Sequence, residues 1–115
     1  MTNTEFQYQS KRTYPCKAKP AMLKHAVLGL TSEAGEVAGI MQKVYQGHGN
    51  PLTDRSVKDH MVKELGDCLW MIAEACTALD VTIADVMDLN IRKLQDRYPD
   101  GFDPFLSLHR KPGDI

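Results

Sequence analysis

Two acidic pairs carry the chemistry this sequence could do. Glu33 and Glu36 lie in Thr31-Ser-Glu-Ala-Gly-Glu-Val-Ala38, and Glu64 and Asp67 lie in Lys63-Glu-Leu-Gly-Asp-Cys68. Each pair is spaced i, i+3, which puts both carboxylates on one helix face, about 60° apart. Glu33 also belongs to the helical row Leu30, Glu33, Val37, Ile40, Val44, and Glu64 to the row Glu64, Cys68, Met71, Ala75, Ala78. In both rows a carboxylate takes a place that the pattern reserves for an apolar side chain facing a neighbour. If the two helices fold back antiparallel, four carboxylates converge at a partly buried place, where uncompensated charge is costly. A hard divalent cation resolves that conflict. Oxygen-only ligands suit Mg²⁺, with Mn²⁺ able to substitute, and no His or Cys is placed to make a zinc site. One such pair alone is ordinarily a solvated helix face; two, both at the edge of apolar rows, read as a metal site.

The elements that must position these acids follow from the spacing of apolar residues. Leu23, Val27, Leu30, Ala34, Val37, Met41 and Val44 recur in steps of three and four, which predicts a helix over about 21–46. Gly47-His-Gly-Asn-Pro51 stops it. Val57, Met61, Leu65, Leu69, Ile72, Cys76 and Leu79 predict a second helix over about 54–79, capped by Thr53 or Asp54. Thr82 and Asp85 resemble a capping box for a third helix over about 82–98, which Pro99-Asp-Gly101 ends. No stretch alternates with the period of a strand. The expected fold is all-α: an antiparallel helical hairpin with a third helix packed across it, flanked by an irregular N-terminal segment and a C-terminal tail. Phe102, Phe105, Leu106 and Leu108 of that tail are expected to pack on a neighbour. Gly35, Gly39 and Gly66 each cost about 1 kcal/mol in a helix interior relative to Ala, and are expected to let the helices approach closely.

The third helix supplies the complementary charge. Asn90, Lys93 and Arg97 fall at i, i+3 and i+7, and Asn90 takes a slot in the row Ile83, Met87, Asn90, Leu94. An amide beside two cations suits phosphate oxygens or sugar hydroxyls. His48 reads as an exposed loop residue, and Trp70 and Met71 as core or dimer contacts. No P-loop, GxGxxG or GxSxG motif is present.

Bulk composition narrows the classes further. The 115 residues are 43% hydrophobic and 25% charged, with a net charge of −1, and read as one domain. Neither a nucleic-acid partner nor a membrane is implied, since there is no basic excess, no signal-peptide core and no apolar run near the roughly 18 residues of a span. Cys16, Cys68 and Cys76 form no CxxC pair and read as reduced thiols, so a cytoplasmic setting is expected, bacterial or, for a phage protein, within the host.

The combination resembles a known family. ExxE (Glu33/Glu36), then ExxD (Glu64/Asp67), then Asn90-Ile-Arg-Lys93-Leu-Gln-Asp-Arg97-Tyr-Pro-Asp-Gly-Phe102 is similar to the MazG-like nucleoside triphosphate pyrophosphohydrolases. Phe6-Gln7 with Arg12-Thr13 looks like the Y-Q-x-x-x-x-R-T opening of small phage and bacterial members, and Arg12 joins the substrate-binding candidates on that ground. The resemblance implies helical bundles assembled as a homodimer or homotetramer. It also implies Mg²⁺-dependent attack of water on the α-phosphorus of a nucleoside triphosphate, giving a monophosphate and pyrophosphate. Glu33, Glu36, Glu64 and Asp67 would hold the metal, and one of them or the ion would activate the water. Lys93 and Arg97 would steady the polyphosphate. Ser32 departs from the family's frequent EExxE, which bears on the number of ions held. Two alternatives stand beside this reading: a phosphoribosyl-ATP pyrophosphohydrolase, and a non-catalytic helical dimerisation module with a vestigial acidic motif.

Overall fold

Caps and glycines set where the helices begin and end. In the computed structural model, which describes residues 1–115, five α-helices follow one another: α1 (Asn3–Ser10), α2 (Lys19–Tyr45), α3 (Arg55–Ala78), α4 (Ile83–Arg97) and α5 (Pro104–Leu108), with a 3₁₀ turn at Lys11–Thr13. There is no strand, and no helix is long and apolar enough to cross a membrane. Pro20 sits in the first turn of α2, where a missing N–H costs nothing. Asp54 caps α3 through Ser56 N and Val57 N, and the Thr82–Asp85 capping box at α4 is complete in both directions. The link between α2 and α3 turns through Gly47 and Gly49, at φ +85° and +83°. A side chain at Gly49 would be strained and would also meet Val57 Cγ2 at 2.6 Å, so this glycine fixes the reversal of the chain.

The α2–α3 hairpin carries most of the packing. Its antiparallel register is fixed by paired contacts. His25 of α2 meets Glu74 of α3 at 2.6 Å, and a Cβ on Gly29 would overlap Met71 at 2.5 Å. The core lies toward the open end of the hairpin, where Tyr14, Met22 and Ala78 cluster with Cys16, Leu23 and Trp70 against them. Trp70 donates its indole N–H to Thr13 Oγ1 at 2.9 Å and sets its ring at 55° to that of Tyr14. Glu74, fully buried, is held by His25 Nδ1 at one carboxylate oxygen, while its Oε1 has no partner.

Four expectations from the sequence are corrected. The N-terminal segment is not irregular: Thr2 and Glu5 form a capping box for α1, and Gln7 pins that helix to the α3–α4 link by donating to the Val81 carbonyl and accepting from Ile83 N–H. The tail holds α5, capped by Asp103. Phe102, Phe105 and Leu108 nevertheless stay largely exposed. Gly35, Gly39 and Gly66 face open space, and Gly29 makes the close helix approach instead. Lastly, α4 does not lie across the hairpin. It has no buried residue, and it leans on α1, where Asn3 Nδ2 approaches Met87 Sδ at 3.5 Å.

The result is an open shape. The radius of gyration is 17.1 Å, against about 13 Å for a compact chain of this length. Val86, Met87, Leu89 and Ile91 of α4 all remain exposed.

Candidate functional site

The antiparallel register brings the two acidic pairs face to face. Glu33, Glu64 and Asp67 each present a carboxylate oxygen such that all three lie within 4.8 Å of one another. Glu33 and Glu64 are half-buried and Asp67 is exposed, so the cluster opens to solvent on one side. Glu36, exposed on the next turn of α2, faces Glu64. Its carboxyl is pushed above the usual range, first by a hydrogen bond shared with Glu64, then by the charges of Glu64 and Glu33, with Asp67 adding a smaller share. The cluster therefore holds more like charge than its own side chains can neutralise.

That geometry fits a hard cation. Oxygens about 2.1 Å from an octahedral Mg²⁺ ion lie about 3.0 Å apart when adjacent and about 4.2 Å apart when opposite, so the three carboxylates would have to draw together by up to about 1.8 Å, a movement within the reach of side-chain rotation. An all-carboxylate donor set is the right chemistry for such an ion, and the mutual repulsion is the term that the ion would remove. Glu33, Glu64 and Asp67 form the core of the set, with Glu36 able to join through Glu64.

One contributor escaped the reading of the sequence. His60, one turn before Glu64, places Nε2 3.0 Å from Glu64 Oε1 and so fixes the carboxylate's orientation from the solvent side. The i, i+4 spacing of His60 and Glu64 is the signal that the sequence offers for this contact.

The basic residues of α4 are arranged differently from the expectation. Lys93 and Arg97 line a cavity of 490 Å³ between α4 and the chain that follows α5, and none of the four carboxylates of α2 and α3 lines it. Asn90 is exposed and is not among its lining residues. Arg12 lies exposed in the 3₁₀ turn, beside the Thr13 that anchors Trp70. Within one chain, then, Glu33, Glu64 and Asp67 converge, and the cavity that Lys93 and Arg97 line is a separate one.

Comparison with known proteins adds an independent line. The Gene 37 protein of Mycobacterium phage L5 is 35% identical to this chain over 75 residues, 65% of the chain and 65% of that relative's length. The match thus spans just under two thirds of the phage protein. No solved structure matches the chain. The model of the MazG nucleotide pyrophosphohydrolase domain matches residues 22–102, a stretch running from the first turns of α2 to just past α4 and including both acidic pairs. With most of the chain under that match and the carboxylates of both pairs gathered at one place, this chain belongs to the MazG nucleotide pyrophosphohydrolase family.

Proposed function

We propose that this chain is a Mg²⁺-dependent nucleotide pyrophosphohydrolase that converts nucleoside or deoxynucleoside triphosphates to the monophosphate and pyrophosphate, with water attacking the α-phosphorus. The observation that carries the reading is the triad of carboxylates within 4.8 Å, with Glu36 repelled against it. When bound, the ion supplies charge neutralisation for the phosphate oxygens and a more acidic water. Glu33, Glu36, Glu64 and Asp67 hold it, and His60 keeps Glu64 in place. One of the four carboxylates accepts the proton of the attacking water, or the ion itself would make that water acidic enough to lose it. Asn90, Lys93, Arg97 and Arg12 are the proposed contacts to phosphate and sugar.

The test is a pyrophosphate-release screen over standard and modified ribo- and deoxyribonucleoside triphosphates, with phosphoribosyl-ATP included. Release that needs Mg²⁺ and yields the monophosphate supports the reading. A chain that releases no pyrophosphate from any of them is a helical assembly module instead.

Assembly is part of the proposal. The chain exposes 8550 Å², whereas a compact protein of 12.9 kDa exposes about 6,300 Å². The excess, about 2,200 Å², is the scale of surface that each partner of an obligate interface covers. Its apolar part includes Leu65 and Leu69 on α3 and Val86, Met87, Leu89 and Ile91 on α4. We expect light scattering to give a mass of about 26 kDa or about twice that, and a strictly monomeric chain at micromolar concentration would refute this.

A further inference from the structure

The cavity beside α4 holds more positive charge than the two proposed phosphate contacts, Lys93 and Arg97, supply. Arg92, Lys93 and Arg97 line it from α4, and Arg110 and Lys111 line it from the segment after α5. Against these five cations stand two carboxylates, Asp96 and Asp114, so the lining carries a net +3 in a chain whose total is −1. Only Arg97 is paired. It forks onto Asp114, with Nε–Oδ2 at 2.8 Å and Nη2–Oδ1 at 2.6 Å, and the two side chains are 9% and 17% exposed. Arg92, Lys93, Arg110 and Lys111 have no ion-pair partner.

The one paired carboxylate shows what the cavity attracts. Arg97 holds the Asp114 carboxyl below its usual range, and the charges of Arg110 and Lys93 lower it further, so three cations from two segments converge on one anion. A planar guanidinium fork receives a carboxylate and a phosphate with the same two parallel hydrogen bonds. Asp114 carries one charge, and with Asp96 it still leaves a net +3 around the cavity; a diphosphate or triphosphate group carries several charges and would be far better matched.

Lys93 and Arg97 are the phosphate contacts already proposed, and we propose that Asp114 is a built-in competitor there, which the polyphosphate anion must displace from Arg97. The choice of polyphosphate as the ligand class rests on the pyrophosphohydrolase reading; the competition at Arg97 does not. The segment after α5 then acts in two ways. Arg110 and Lys111 add charge to the site, while Asp114 holds the site closed against weakly charged anions.

The experiment measures binding of inorganic pyrophosphate to the full chain by calorimetry, in buffer with a chelator and no divalent ion. Under those conditions the acidic cluster repels the probe and contributes nothing to the signal. Asp114→Asn, which keeps the side-chain shape, is expected to bind pyrophosphate at least about tenfold more tightly than the unsubstituted chain, and Arg110→Ala several-fold more weakly. Raising the salt concentration should weaken binding in all three. Equal affinity of Asp114→Asn and the unsubstituted chain overturns the competition. Should Asp114→Asn fail to fold, undiminished binding by Arg110→Ala, whose side chain caps no buried partner, overturns the site by itself. A chain that shows the tightening yet hydrolyses no nucleotide retains this site and loses the enzymatic proposal; the reverse pattern does the opposite.

Discussion

Glu64→Gln is expected to lower pyrophosphate release by about a thousandfold or more, and to remove most of the thermal stabilisation that Mg²⁺ gives the unsubstituted chain. Glu64 is the centre of the acidic cluster: it belongs to the triad, it is the neighbour that most raises the Glu36 carboxyl, and His60 holds its other side. Glutamine keeps the volume and removes the charge, so the packing of the hairpin is retained and the effect falls on ion binding. Two opposite shifts in Tm follow. Without Mg²⁺ the variant should melt no lower than the parent chain, because one of four mutually repelling charges has gone. With Mg²⁺ at about ten times its Kd, the parent should gain about 1.4 kcal/mol, roughly 5 °C for a chain of this size, and the variant little of it. Thermal denaturation of both proteins with and without Mg²⁺ checks this. A parent chain whose Tm ignores Mg²⁺ would count against the shared metal site altogether.

How far the sequence foretold this arrangement depends on which forces are local. The helices containing the acids were legible because their apolar residues repeat in steps of three and four, and because Gly47, Gly49 and Pro51 leave room for one reversal only. A short link between two long helices forces an antiparallel pair, and that alone puts Glu33 and Glu36 opposite Glu64 and Asp67. The helix α1 was missed because its eight residues have no apolar stripe; what holds it is the Thr2–Glu5 box and Gln7, whose partners lie more than seventy residues away. The orientation of α4 was missed for a different reason. Its stripe of Ile83, Val86, Met87 and Leu94 reads the same whether it covers its own hairpin or another copy, since amphipathicity specifies that a face be covered and not by what. The pairs Arg97–Asp114 and His25–Glu74 are likewise contacts between segments far apart in the chain, and no periodicity announces them.

The position of bond cleavage separates the proposed reaction from simpler phosphatases. If water attacks the α-phosphorus, hydrolysis in ¹⁸O-labelled water places the label in the monophosphate and leaves the pyrophosphate unlabelled. Attack at the β-phosphorus reverses that pattern, and a γ-phosphatase releases orthophosphate. The outcome is all or none, and mass spectrometry of the two products reads it directly. The same assay assigns the cations of α4. Lys93 is exposed, lies apart from the acidic cluster within one chain, and has no ion-pair partner, so its removal should leave the fold and the Mg²⁺ response of Tm intact. If it steadies the charge that develops on the leaving pyrophosphate, Lys93→Ala should lower kcat and kcat/KM together, by about a hundredfold, without moving the label. A rise in KM alone would assign it to ground-state binding. Normal turnover by Lys93→Ala beside an inactive Glu36→Gln would leave the carboxylates as the whole of the catalytic apparatus, and the charge along α4 would then serve only the cavity that Asp114 closes.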